Sequence, residues 1–150
     1  MSIDTSHQPG PAAPGPLQDY AHDQWVELLG RIRFASLPPH RRRYLNPLAV
    51  HAVGDRLACY ACPDGGRIVA DTARLAVELE ISYELAEAAL QVLVGLGLLR
   101  LVSCGGRPGR ADEYHLAAPP DGFGDVVQVW PPERYTAEVA RMGEAAAARG

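Results

Sequence analysis

Arginine supplies all the side-chain positive charge of this chain at neutral pH: 14 arginines and no lysine among 150 residues. Five of them are clustered. Arg107 and Arg110 lie in the glycine-rich run Cys104-Gly105-Gly106-Arg107-Pro108-Gly109-Arg110, and Arg41, Arg42 and Arg43 form a short basic run. A guanidinium is planar and presents forked donors, so its natural partners are phosphate oxygens and the edges of nucleic-acid grooves. The run at 41–43 also has the composition of an ordinary solvated segment, and it acquires a function only beside a binding face.

Other reactive residues lead less far. Cys59-Tyr60-Ala61-Cys62 has the C-x-x-C spacing of metal and redox sites. A structural zinc site needs four ligands, and only Cys104 and distant histidines could complete the set. The plainer expectation puts Cys59 against the core at a helix end and Cys62 in the following turn, with no metal and no cofactor. His51 falls on a helix among apolar residues and reads as packed or partly exposed. No phosphate-binding glycine loop ending in lysine, no His-Glu-x-x-His and no nucleophile elbow occurs, so an enzyme is not expected.

The composition bounds the rest. With 47% hydrophobic residues the chain folds, and its length suits one sizeable core. The longest apolar stretch, Leu85 to Leu101, is interrupted by Glu87, Gln91, Gly95, Gly97 and Arg100, well short of the ~20 residues of a membrane span. The first residues have neither the basic run nor the apolar stretch of a signal peptide, which leads to the expectation of a cytoplasmic protein. The formal net charge is −4, unlike that of a strongly basic nucleic-acid binder.

The elements that would position these residues follow from periodicity and punctuation. Residues 1–16 are polar and proline-rich, the composition of a disordered tail. Residues 17–40 hold a helix with Trp25, Leu28, Leu29 and Ile32 on one face, closed by Pro38-Pro39. Pro47 opens a second helix, and Pro63-Asp64-Gly65-Gly66 ends it. A short β-prone run, Arg67 to Val69, precedes a helix capped by Asp71 and a longer one capped by Ser82. Gly95 and Gly97 close that helix; Leu98 to Val102 and Glu113 to Leu116 then read as two strands around the arginine-glycine run. Residues 121–150 form an extension with a short alternating stretch and a last helix from about Tyr135 to Ala148.

Helix, strand, short helix, tight turn, longer helix and hairpin is the order of a winged helix-turn-helix, here expected over 44–118. The fold class expected is α+β, mostly helical, with extra N- and C-terminal helices. The motifs sharpen this. Pro63-Asp64-Gly65-Gly66-Arg67, Leu75-Ala76-Val77-Glu78-Leu79-Glu80-Ile81-Ser82, Leu96-Gly97-Leu98-Leu99-Arg100 and Gly109-Arg110-Ala111-Asp112-Glu113-Tyr114 resemble the winged helix-turn-helix domains of bacterial, plasmid and phage replication-initiator-like proteins and small transcriptional regulators. The resemblance covers about half the chain. It implies binding to double-stranded DNA, in transcription regulation or as a replication accessory factor. The helix beginning at Ser82 would enter the major groove, placing Ser82, Tyr83 and Gln91 at bases. Arg74, Arg107, Arg110 and Arg41 to Arg43 would hold the backbone. Gly-Gly-Arg-Pro-Gly-Arg also resembles the core of minor-groove hooks, in which arginine sits in the narrow groove.

Two features cut across that picture. The groove helix, Ser82 to Gly97, contains no arginine and carries Glu84 and Glu87; from Arg41 to Leu116 there are nine arginines and nine acidic residues. Phosphate neutralisation supplies much of DNA affinity, so an acidic reading helix opposes it. The alternative expectation is a protein-interaction module with a partner on the Glu84/Glu87 face. Glu80 also stands where the resembled family has glycine, a position of positive φ that costs a non-glycine residue ~1 kcal/mol. A homodimer is expected from the apolar faces Trp25 to Ile32 and Val139 to Ala148.

Overall fold

The structure, a computed structural model, describes residues 16–34, 45–103 and 112–149. Arg41, Arg42, Arg43, Arg107 and Arg110, with nearly all of the expected tail, lie outside the described residues.

Most helix boundaries are set by local chemistry. A two-residue strand β1 (Gln18–Asp19) leads into α1 (His22–Arg31), where Trp25, Leu28 and Leu29 are buried at helical spacing. Strand β2 (Ile32–Arg33) follows directly. Helix α2 (Pro47–Tyr60) starts with proline at its first position, and the Asn46 side chain accepts from the Ala49 N–H at 3.0 Å. Both devices satisfy or remove donors that the first turn leaves unpaired.

The Pro63-Asp64-Gly65-Gly66 run turns as expected. Gly65 N–H donates to Cys62 O at 2.7 Å, and Asp64 Oδ1 accepts from Gly66 N–H at 2.9 Å. Gly65 has φ +92°, and a Cβ there would sit 2.0 Å from the Tyr20 carbonyl oxygen. Here glycine is demanded twice, by backbone conformation and by the close passage of the N-terminal segment.

Strand β3 (Ile68–Val69), α3 (Thr72–Leu79) and α4 (Tyr83–Gly95) come next. Asp71 and Ser82 are the N-caps, accepting from Arg74 N–H at 3.2 Å and Leu85 N–H at 3.1 Å. Between the helices Glu80 adopts φ 57°, ψ 45°, the left-handed conformation, while Ile81 N–H reaches back to Ala76 O at 3.0 Å. This is a Schellman-type stop with glutamate where glycine is favoured. The turn therefore keeps its tight geometry and carries the strain.

A hairpin, β4 (Leu99–Ser103) and β5 (Glu113–Ala118), closes the unit, with Leu99 opposite Leu116 and Leu101 opposite Tyr114. Its register shifts between Leu101 and Ser103. β5 is the central strand. Its other edge pairs antiparallel with β3, Ile68 opposite Tyr114, and with β1, Gln18 opposite Ala118. Helices α2, α3 and α4 pack together beside this sheet, and α1 lies across α2. A second sheet joins β2 to β6 (Gln128–Val129), ahead of α5 (Pro132–Arg149). The protein is thus α+β, with five helices and small antiparallel sheets among the described residues.

The core runs from Trp25 and Leu29 through Val50, Val53 and Leu57 to Leu75, Leu93, Leu98 and Leu116, all fully or almost fully buried. The face Trp25 to Ile32 belongs to this core, so it is not available to a second copy. By contrast, α5 has no buried residue, and Val139 and Met142 are exposed. The N-terminal segment is pinned by Tyr20 N–H to Leu116 O at 2.9 Å and by Arg100, which grips Asp19 with two bonds of 2.7 and 2.9 Å.

Three outcomes follow from this framework. Gly65→Ala should lose more than about 2 kcal/mol in urea unfolding, from left-handed strain plus overlap with a backbone oxygen. Glu80→Gly should gain about 0.5–1 kcal/mol by relieving the same strain at the turn, net of the extra freedom of glycine in the unfolded chain. The Arg100 hydrogen bonds hold the Asp19 carboxyl below its usual range. Their stabilisation is therefore present above the ordinary aspartate pKa and is lost as pH falls through the depressed folded value. The stability gap between wild type and Arg100→Gln should narrow on acidification below about pH 4 and stay level between pH 5 and 7.

Candidate nucleic-acid interface

Helix α4 turns Ala86, Ala89 and Leu93 inward. The opposite face is set by the 3.6-residue period: Glu84, Glu87 and Gln91 stand at i, i+3 and i+7, all exposed, with Ala88 beside them. Tyr83 is half exposed at the start of the helix. The side chains expected to read bases are thus on the outer surface of the second helix of the pair, but two carboxylates stand among them and no cation does. Glu84 lies in the first turn, where the helix dipole favours a negative charge.

Ser82 is exposed, yet its hydroxyl already accepts the Leu85 N–H. The hydroxyl hydrogen remains available as a donor. Gln91 borders a groove of about 410 Å³ between α4 and the sheet, with Ala70 and Thr72 on one side and Asp112 and Tyr114 on β5 and its approach. Asp112 is where the segment carrying Arg107 and Arg110 rejoins the described chain. The structure therefore brings Gln91 beside the loop end of β5, whereas Ser82 and Tyr83 stand two turns away at the other end of α4.

Arg74 sits elsewhere in the electrostatic scheme. Its Nε donates to Glu78 at 2.8 Å, one helical turn on, and its guanidinium carbon lies 4.3 Å from the centroid of the Tyr60 ring. Glu78 also accepts from the Tyr60 hydroxyl and lies 3.9 Å from Arg56. Burial and the bond to Glu78 push the Tyr60 hydroxyl up to about 12. This cluster ties the end of α2 to α3 and cancels one of its two positive charges. The Arg74–Glu78 spacing was visible in sequence; the Tyr60 contact needed the fold.

Cys59 is exposed rather than packed, Cys62 is half-buried at the turn, and both are free thiols. Among the described residues no group of three or more histidine, cysteine or acidic side chains is arranged to hold a metal ion. His51 is half-buried with its ring edge-on to Phe34, 5.5 Å between centroids; burial and then the charge of Arg33 lower its pKa. No helix among the described residues is long and apolar enough to cross a membrane.

Sequence reasoning missed one arrangement altogether. Two guanidiniums stack on the ring of Trp130, Arg33 at 4.2 Å and Arg134 at 4.3 Å from its centroid. Its carbonyl accepts from Arg31 Nη1 at 2.9 Å. Arg31 and Arg33 are about a hundred residues from Arg134 and Trp130 in the chain, and the β2–β6 pairing brings them together. Comparison of the chain with protein-family models, curated proteins and solved structures finds no match.

The cap geometry yields a direct check on Ser82. Ser82→Ala should lose about 1 kcal/mol of stability, and Ser82→Gly only a few tenths, by denaturant unfolding. Equal stability of Ser82→Ala and wild type would mean the hydroxyl serves another purpose than capping.

Proposed function

We propose that residues 44–118 form a winged helix-turn-helix that binds double-stranded DNA, as a transcriptional regulator or a replication accessory factor. The observation that carries this reading is the order and pairing of the elements: α2, β3, α3, a left-handed turn at Glu80, α4, then a hairpin whose second strand takes β3 on its other edge. That arrangement leaves the outer face of α4 open, and the segment with Arg107 and Arg110 joins β4 to β5 in sequence. In this reading the arginine-rich segment contributes most of the phosphate contact, and Tyr83, Gln91 and the Ser82 hydroxyl make the polar contacts to bases. Arg74 contributes little while Glu78 holds it.

The acidic outer face favours a second reading. Glu84 and Glu87 would face a basic protein surface, with α4 as the contact helix and no DNA bound. Pairing of two copies, which a palindromic site would reward, would have to use the exposed Val139 and Met142 of α5. Analytical ultracentrifugation at micromolar concentration tests that pairing, and a monomer mass removes it.

Fluorescence anisotropy with random-sequence duplex at low and moderate salt separates the two readings. DNA binding predicts affinity that falls steeply with salt, with a log–log slope reduced by up to ~2 in Arg107→Ala/Arg110→Ala. Glu84→Gln/Glu87→Gln should then tighten duplex binding about fivefold or more, because two carboxylates near phosphates are removed. No binding at low salt would overturn the DNA reading in favour of the protein-interaction module.

A further inference from the structure

The arginines of the described chain mostly come with a carboxylate. Arg31 pairs with Glu27, Arg74 with Glu78, Arg100 with Asp19 and Arg141 with Glu138. Arg33 and Arg134 do not, although the fold holds them together. Both guanidiniums stack on the Trp130 ring, which keeps them less than about 9 Å apart, close to the ~8 Å Debye length at physiological salt. Each charge therefore raises the potential at the other. Glu133, the neighbour of Arg134 in sequence, makes no ion pair with either among the described residues.

The donors are also uncommitted. Arg33 uses Nη1 for the carbonyls of Gly30 and Ile32, at 2.8 and 2.9 Å, which leaves Nε and Nη2 without an acceptor among the described residues. Arg134 is exposed and has no hydrogen bond to a side chain or carbonyl there. It stands in the first turn of α5, whose dipole adds partial positive charge. The indole thus orients two forked cations and supplies no anion to neutralise them. Forked guanidinium donors of this kind suit the oxygens of a tetrahedral dianion or a phosphodiester.

We infer that Arg33 and Arg134, aligned by Trp130, form a phosphate-binding clamp outside the helix pair. It stands whether or not α4 reads DNA. The ligand is a phosphate group, carried by a nucleic-acid backbone or free in solution.

Two measurements on the full chain test it, with Arg134→Ala as the main variant because Arg134 is exposed and lies in no core contact. In thermal unfolding, inorganic phosphate should raise the wild-type melting temperature above that in sodium chloride of equal ionic strength. Arg134→Ala should melt like wild type in chloride and lose the phosphate increment; Arg134→Lys should keep part of it. In duplex anisotropy, Arg134→Ala should lower the salt slope by about 1 where nucleic acid is the ligand. A lost phosphate increment with an unchanged duplex slope, or with no duplex binding at all, assigns the clamp to a free or small phosphorylated ligand. The clamp is overturned when neither the phosphate increment nor the duplex slope differs between Arg134→Ala and wild type.

Discussion

An indole N–H buried in an apolar core has to find an acceptor, and Trp25 finds two. Its Nε1 donates to Leu98 O at 2.9 Å and to Ala117 O at 3.0 Å, and the ring has no exposed surface. Leaving such a group unpaired costs about 1–3 kcal/mol, so the indole and these carbonyls hold one another in place. Leu98 precedes β4 and Ala117 lies in β5, and the two are themselves joined by Ala117 N–H to Leu98 O at 3.0 Å. One side chain from α1 therefore locks both strands of the hairpin where they leave the core. The approach is made possible by Gly54 on α2: a Cβ there would lie 2.6 Å from Leu29 Cδ2 and 3.4 Å from Trp25 Cη2. The direction of the hairpin thus depends on a helix that lies outside residues 44–118.

This explains what was legible in the sequence. Features governed by a few adjacent residues were readable. Pro47 starts a helix, Asp71 and Ser82 cap two more, and the turn at Gly65 lies where its dipeptides put it. The three- and four-residue spacing of Trp25, Leu28 and Leu29 identified a buried face, but periodicity cannot say whether a face is covered by the same chain or by another. The answer came from Gly54 and from the carbonyls of Leu98 and Ala117, all far away in sequence. Strands β1, β2 and β6 have two residues each, too short for any alternation to register. Cys59 shows the same limit: its place at a helix end was visible, its exposure was not. Of the candidate site, the outer position of Gln91 and the cap at Ser82 were local. The neutralisation of Arg74 was half local, since the Glu78 spacing was in view and Tyr60 was not.

Charge placement decides what this scaffold can bind. A net charge of −4 gives no long-range attraction toward a polyanion, so association with nucleic acid cannot rely on the field of the whole protein. It has to come from local groups of arginines whose neighbours do not cancel them. The fold sorts the arginines in that way. Those on the sheet and on α3 are bound to Asp19 and Glu78, where they brace one element against another. Those on the outer face of α4 are absent, and glutamates take their place. The remaining concentrations are the segment joining β4 to β5, the run at 41–43, and the Trp130 stack.

That distribution also constrains how α4 can work. A helix with Glu84 and Glu87 outermost is held off from phosphates unless cations nearby offset the repulsion. In the DNA-binding reading the offset falls to Arg107 and Arg110, in the segment that joins β4 to β5 in sequence and is followed by Asp112, which shares a groove with Gln91. In that reading contact through α4 is conditional on those arginines. Removing those arginines would leave the glutamates uncompensated and would do more than subtract two phosphate contacts. In a protein-interaction role the dependence reverses: the glutamates become the attractive groups, and the arginines at the hairpin end lie outside the contact. The same residues therefore carry opposite signs in the two readings, which makes the coupling between the hairpin and α4, rather than either element alone, the property that distinguishes them.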